Sequence, residues 1–448
     1  MVDSVSRSRL VSMAESFISD ECQSPATLSA VTVAPGIAGV TRLQARLARA
    51  LDGQGNAVLP IPEGPQQLVA GIRQAMKPDD ASHPLETADI AVVCATSGST
   101  GSPRGTLLSR SALHASASAF DQRFGNDLRW VLAMPVHRIA GLMVLVRAHF
   151  NHSPVITDPS IGGAYPFSAA TFAATTTAAV RASQKDGRRL VVSLVPTQIA
   201  RLVESGAVGI EALRAYDIVL SGAAATPQPL LETLRHHGIN VVVSYGMSET
   251  CGGCVFDGMP LPGVQVSIAS DDEVQPGRIS ISGPVVASGY RLRPDLNALT
   301  FIDNRVITHD VGALDGAGLI HVLGRLDDVV TVGGVNVALS AVEAAIRHHP
   351  MIREVAVIDV ADTLWGALPL AYVVLQGNEI HDEVSLAQLR REIQTTVANR
   401  IGRAATPRTI TFVDQLPMLD SGKIDRLSLR LQAGQDIEHG KTQHPGSV

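Results

Sequence analysis

Residues 96–105 read Thr96-Ser97-Gly98-Ser99-Thr100-Gly101-Ser102-Pro103-Arg104-Gly105, a run of hydroxyls and glycines closed by one cation. Glycines let backbone N–H groups approach an anion, and Ser and Thr hydroxyls donate to phosphate oxygens, so the run has the chemistry of a phosphate cradle. It is not a Walker loop, because neither Gly98 nor Gly101 is followed at the required spacing by a Gly-Lys pair. Small polar residues with Gly and Pro also build ordinary solvent loops, so the run alone leaves both readings open.

Four more polar islands follow in order: Tyr245-Gly246-Met247-Ser248-Glu249-Thr250, Thr308-His309-Asp310, Gly324-Arg325-Leu326-Asp327-Asp328, and the loop from Pro417 through Ser421-Gly422-Lys423 to Arg426. Lysine is scarce, at positions 77, 185, 423 and 441 alone, so a lysine on a Gly-flanked loop stands out. Taken singly, Asp310 and Arg325 could be surface charges, Tyr245 a core aromatic and Lys423 a solvated loop residue. Cys251 and Cys254 have C-x-x-C spacing, but no second pair or His-x-x-x-His completes a zinc site. The plain reading is small side chains beside a glycine turn.

The elements that must position these residues show in the hydrophobic pattern. The run Ile90-Ala91-Val92-Val93 before the cradle has the branching of a buried strand. Ser109 or Ser111 can cap a helix whose Leu113, Ala117, Phe120 and Phe124 share a face. Strand and helix then alternate at 130–134, 141–150, 155–157, 169–183, 190–195, 197–204, 218–220, 229–237 and 241–244, the rhythm of a mostly parallel α/β sheet. In such sheets ligands sit at the carboxyl ends of strands, where the turns Ser221-Gly222-Ala223-Ala224 and Ser244-Tyr245-Gly246 fall.

From 258 to 321 short strands with Gly and Pro turns suggest a β subdomain. Beyond a boundary at 324–329 comes a compact unit of helix 340–348, strands 355–358 and 370–375, helix 386–399 and strand 409–413. Residues 1–90 read as peripheral, with Leu43, Leu47 and Leu51 on one helical face and a Pro/Gly segment at 60–65, and 432–448 as a disordered tail.

Together the islands, spanning roughly residues 88–426, resemble the adenylate-forming superfamily of acyl-CoA synthetases, luciferases and nonribosomal peptide adenylation domains. The resemblance implies an α/β fold: a large N-terminal domain of layered α/β sheets plus a β subdomain (1–324), and a small mobile α+β C-terminal domain (325–431). It implies an AMP-forming acid–thiol ligase using ATP, Mg²⁺ and coenzyme A. Thr96, Ser97, Gly98, Ser99, Thr100, Gly101 and Arg104 would then grip the β- and γ-phosphates. Tyr245 would stack on adenine within Ser244-Tyr245-Gly246, with Gly222, Ala223 and Ala224 on the other side. Glu249 would bind Mg²⁺ and Thr250 would lie near the phosphates. Asp310 and Arg325 would hold the ribose hydroxyls. Lys423 would contact the acyl carboxylate and the α-phosphate in the transition state. The C-terminal domain would swing about Asp327, bringing Gly333 and Gly334 to the thiol tunnel.

Some positions depart from the family pattern. Arg104 stands where Lys is usual, His309 where Gly is common, and Val335 and Ala338-Leu339 replace a more polar pattern. A closer likeness, carried by Met134-Pro-Val-His137-Arg-Ile-Ala-Gly141, Ser193-Leu-Val-Pro-Thr197-Gln198, Ser221–Pro227 and Tyr245–Cys254, is to the o-succinylbenzoate–CoA ligases of menaquinone biosynthesis. It makes His137, Thr197, Gln198 and Ser221 candidate acid-binding residues, with Ser221 and Thr197 as hypothesised partners of the benzoate. Arg147, also a candidate, lies in an apolar helix and has a structural ion pair as its alternative.

A net charge of -6 offers no general attraction to nucleic acid or anionic membrane, so an anionic ligand needs local donors. Four cysteines in 448 residues make no disulfide framework, and no run is long enough to insert in a membrane. A cytoplasmic enzyme of small molecules is expected, and the sequence is compatible with a monomer or a homo-oligomer.

Overall fold

The computed structural model describes residues 27–97, 103–163, 165–269, 276–376, 383–419 and 424–438. Four sheets organise them. The first joins Leu28–Val33, Ala57–Pro62, Ile90–Ser97, Pro103–Ser109 and the short Gly289–Tyr290. The second has seven strands: Leu128–Leu132, Val155–Thr157, Arg189–Leu194, Ile218–Ser221 and Val241–Met247 pair in parallel, and Gly252–Phe256 and Met259–Pro260 extend the edge antiparallel. This is the expected α/β rhythm, with helices Ile139–Phe150, Ala169–Asp186, Pro196–Glu204 and Gln228–His236 between the parallel strands. The helix Arg110–Phe124 starts at Ser109, whose hydroxyl accepts from the amide of Ala112, a cap that stabilises by about 1 kcal/mol.

Residues 27–90 are not peripheral. Leu43, Leu47 and Leu51 are buried in the largest core cluster, and Leu59 and Ile61 are fully buried in another. Pro60 and Pro62 lie within a strand after all, opposite Val31 and Val33 of one neighbour, while the pair with the other neighbour, Val58↔Val92, falls ahead of both prolines.

The third sheet is the expected β subdomain, antiparallel throughout, with Gln265–Ala269, Gly277–Ser282, Phe301–Ile302, Arg305–Leu314 and Ile320–Arg325. The fourth, from Val329 onward, has its own cores on both faces. Alternation along Ile352–Asp362 sends Val355 and Val357 to one face, against helices Leu339–Arg347 and Glu383–Arg400, and Ala356 and Ile358 to the other. That second face is covered by Leu416, Leu429 and Ala433, the last two on the helix Arg426–Glu438. The tail expected from 432 is therefore helical through 438; Ala433 is needed to close the second core.

Candidate functional site

The two ends of the cradle lie on paired antiparallel strands. Thr96 pairs with Arg104 and Ser97 with Pro103, so residues 103–105, read from sequence as loop, belong to the returning strand. Gly98, Ser99, Thr100, Gly101 and Ser102 lie outside the described residues, as does Lys423. Gly105 has a packing reason, since a Cβ there would lie 2.1 Å from the Met76 sulfur.

Glu249 sits on the short turn Ser248–Thr250 after Val241–Met247. Thr250 is fully buried, and its Oγ1 accepts from the Met247 amide at 3.0 Å and donates to the Gly252 carbonyl at 2.8 Å. These bonds shape the turn that presents Glu249. Gly246 is required by the adjacent strand, because a Cβ would lie 2.1 Å from the Gly252 carbonyl oxygen. One oxygen of Glu249 accepts from the Tyr290 hydroxyl at 2.6 Å. Tyr290 was not singled out from sequence. The available signal was scarcity: tyrosine, like lysine, is rare here, with five in the chain.

Tyr245, Asp310 and Arg325 form one hydrogen-bonded unit. Register places Asp310 opposite Arg325; its carboxylate accepts from Arg325 Nη1 at 3.0 Å and from the Tyr245 hydroxyl at 2.7 Å. Burial, reinforced by Asp310, pushes the Tyr245 phenol well above its ordinary range and keeps it a donor. Asp310 is nearly buried while half of the Arg325 side chain is exposed, so the pair opens to solvent on one side. Gly222, Ala223 and Ala224 follow Ile218–Ser221 at its carboxyl end, and Ala223 takes a left-handed φ of 65° that a side chain rarely adopts.

The acid-binding candidates divide. Ser221 is fully buried and hydrogen-bonded to the Thr226 hydroxyl at 2.8 Å. The Gln198 amide accepts from the Val195 N–H and donates to the Ala133 carbonyl, tying a helix start to the neighbouring strand end. Both are candidate acid ligands that also carry hydrogen bonds within the fold. Arg147 has its guanidinium 4.2 Å from the Phe120 ring centroid and 5.6 Å from that of Trp130, and desolvation lowers its pKa to about 10. Thr197 remains half-buried at the start of Pro196–Glu204, and His137 is buried just before Ile139–Phe150.

Cys94, Cys251 and Cys254 are buried free thiols; desolvation raises Cys94 to about 11 and Cys254 to about 12. No group of three or more His, Cys, Asp or Glu that could hold a metal occurs among the described residues. Native protein treated with iodoacetamide near neutral pH should stay unmodified at these three positions by peptide mass mapping, and react there once denatured. Modification of Cys251 at the native rate of a free thiol would contradict this burial.

In the C-terminal unit Gly333 and Gly334 are the two central residues of a hairpin turn between Val329–Val332 and Val335–Ala338, with φ of 56° and 85°. That is the geometry of a type I′ turn, which demands positive φ at both positions. A Cβ on Gly333 would also strike the Trp365 ring at 2.5 Å. Asp327 lies in the single turn Leu326–Asp328, directly after Arg325.

Two family profiles match the chain: AMP-binding enzyme over residues 18–291 and AMP-binding enzyme C-terminal domain over 341–423. The chain belongs to the AMP-binding enzyme family. Among relatives of this AMP-binding enzyme, a probable 2-succinylbenzoate–CoA ligase of Mycobacterium tuberculosis (strain ATCC 25618 / H37Rv) is 37% identical, covering 86% of this chain and 93% of the relative. A 2-succinylbenzoate–CoA ligase of Bacillus anthracis (strain A0248) is 30% identical, covering 75% and 68%. The fold matches o-succinylbenzoate CoA synthetase from Bacillus subtilis in complex with its acyl-adenylate intermediate, at TM-score 0.67 and 23% identity over 93% of this chain and 90% of that one. It also matches ATP-bound MatB from Rhodopseudomonas palustris, at TM-score 0.71 and 21% identity over 94% and 98%. No described helix is long and apolar enough to cross a membrane.

The side chains fit a metal–nucleotide ligand. Arg104 Nε is buried and has no hydrogen-bond partner among the described residues, a donor suited to an anion. Glu249 offers a single carboxylate, which suits Mg²⁺ because that ion takes one or two protein oxygens and completes its shell with phosphates and water.

Proposed function

We propose that this AMP-binding enzyme is an o-succinylbenzoate–CoA ligase, forming o-succinylbenzoyl-adenylate from ATP with loss of pyrophosphate and then passing the acyl group to CoA. The observation that carries the reading is the 37% identity to a named ligase along nearly the whole of both chains. In the first step a carboxylate oxygen attacks the α-phosphorus and the bond to the bridging oxygen breaks, releasing pyrophosphate. In the second the CoA sulfur attacks the acyl carbonyl, AMP leaves, and the thiol proton passes to solvent.

The first step brings two anions together, so the protein aligns and screens charge rather than supplying a nucleophile. Arg104 donates to the phosphates from the hairpin. The Tyr245–Asp310–Arg325 unit supports the ribose, with Asp310 accepting and Arg325 donating. Glu249 holds Mg²⁺, which when bound neutralises phosphate charge and favours departure of pyrophosphate. Lys423 reaches the carboxylate and α-phosphate, Asp327 is the hinge, and Gly333 and Gly334 line the thiol path. His137, Thr197, Gln198 and Ser221 are the acid-binding candidates, with Ser221 and Thr197 toward the benzoate.

Acid-dependent ATP–pyrophosphate exchange over a panel of aryl and acyl acids tests the assignment. Exchange is expected with o-succinylbenzoate; exchange with another acid and none with o-succinylbenzoate would move the protein to a different ligase of the family. Arg104→Ala should weaken ATP use in this assay while leaving transfer from preformed acyl-adenylate to CoA largely intact. Loss of the transfer step would place Arg104 elsewhere in the cycle.

A further inference from the structure

The strand Gly289–Tyr290 is two residues long, yet it is stitched into the site at every turn. The Ala287 amide donates to the Glu249 carbonyl at 2.9 Å, Ser288 N to Leu107 O at 2.9 Å, and Arg291 N to Gly105 O at 2.8 Å. It pairs antiparallel with the returning strand of the phosphate hairpin, Tyr290 opposite Thr106 and thus two residues from Arg104. One segment therefore fixes the spacing between the hairpin and the turn that carries Glu249.

Tyr290 itself is clamped. Its amide donates to Asn297 Oδ1 at 2.6 Å and its carbonyl accepts from Asn297 Nδ2 at 3.1 Å. Its ring packs edge-on against Phe301 with centroids 5.2 Å apart, and the residue is 4% exposed. The next residue, Arg291, has a fully buried guanidinium bonded to the carbonyls of Met76, His83 and Pro84 and to Glu86. A phenol held this firmly, 2.6 Å from a carboxylate oxygen, selects one rotamer of that carboxylate. Charge-assisted bonds to an ionised acceptor are the strong ones.

We infer that Tyr290 is a positioning residue for the metal carboxylate: its hydroxyl holds one oxygen of Glu249 and so directs the other toward the cation on the ATP phosphates. This rests on the reading of Glu249 as the metal ligand. In that 2.6 Å contact the phenol is the donor, because an ionised carboxylate can only accept. Metal-bound carboxylates are generally oriented by such outer hydrogen bonds, and their loss weakens metal binding without removing a ligand.

The test uses the full chain with Mn²⁺ as probe and α,β-methylene-ATP as nucleotide, following free Mn²⁺ by electron paramagnetic resonance in wild type, Tyr290→Phe and Glu249→Gln. Nucleotide affinity without metal and thermal unfolding are recorded on the same samples. Tyr290→Phe keeps the ring against Phe301, so it is expected to bind metal-free nucleotide as wild type does, yet to bind Mn²⁺ about tenfold more weakly. Glu249→Gln should be at least as weak. If Glu249→Gln weakens Mn²⁺ binding and Tyr290→Phe does not, the positioning role is wrong while the metal reading stands. If Glu249→Gln changes nothing, the metal reading fails and the inference with it. Parallel loss of metal-free nucleotide affinity in Tyr290→Phe would mean general loosening of the site, which also overturns the inference.

Discussion

Lys423→Ala is expected to slow acyl-adenylate formation by about 10²–10³-fold, the scale of removing one preorganised donor from a developing anionic centre. The carboxylate and the α-phosphate repel each other until charge passes to the pyrophosphate. A cation touching both is therefore worth more in the transition state than in the ground state. The structure shows what holds the lysine's neighbours: Met418 bridges to Ile424, and the Asp425 amide donates to the Pro417 carbonyl at 2.8 Å. Ile424 packs against the second core of the C-terminal unit, and Arg426 forms a 2.6 Å ion pair with the nearly buried Glu343. The loop base is thus rigid on both sides. Thioester formation from synthetic acyl-adenylate should stay within a few-fold of wild type, because the donor's work ends when pyrophosphate leaves. The check is pyrophosphate exchange alongside single-turnover transfer; equal loss in both would remove Lys423 from the first step.

Asp327→Pro should give the complementary result. Arg325 is anchored to Asp310 and Val329 begins the fourth sheet, so any reorientation of the C-terminal unit must be absorbed by the turn Leu326–Asp328 between them. Proline fixes φ and restricts the preceding residue, which blocks large dihedral changes at that turn. Adenylate formation should survive while transfer to CoA falls by about a hundredfold, the cost of misplacing a reacting partner by roughly an ångström. Rapid-quench measurement of both half-reactions decides it, and equal loss would remove the hinge from Asp327.

The parallel sheet was legible because its strands are short apolar runs separated by helix-length segments, although Ile139–Phe150 shows no polar face, with Gly141 through Ala148 all buried. The helix Ala207–Arg214 escaped notice: it begins at Gly206 with φ 71°, has no side-chain cap, and its buried face is Gly209, Ala212 and Leu213. The returning strand Pro103–Ser109 was hidden by Pro and Gly, residues that usually mark loops but here sit at a hairpin end. The bonds that Thr250, Ser221 and Gln198 make inside the fold were not legible in the sequence. Each lies in a stretch carried by the family likeness, and each is used by the fold to satisfy backbone or a neighbouring hydroxyl. Asp310 and Arg325, fifteen residues apart, were tied to one ribose by resemblance; strand register supplies the physical reason that they meet.

The most direct test of the central claim is mass detection of the product formed from o-succinylbenzoate, ATP, Mg²⁺ and coenzyme A. The account predicts o-succinylbenzoyl-CoA, with AMP and pyrophosphate released in equal amounts and no thioester when ATP is omitted. Adenylate that accumulates without thioester in the presence of free CoA, or no acid-dependent AMP at all, would contradict it.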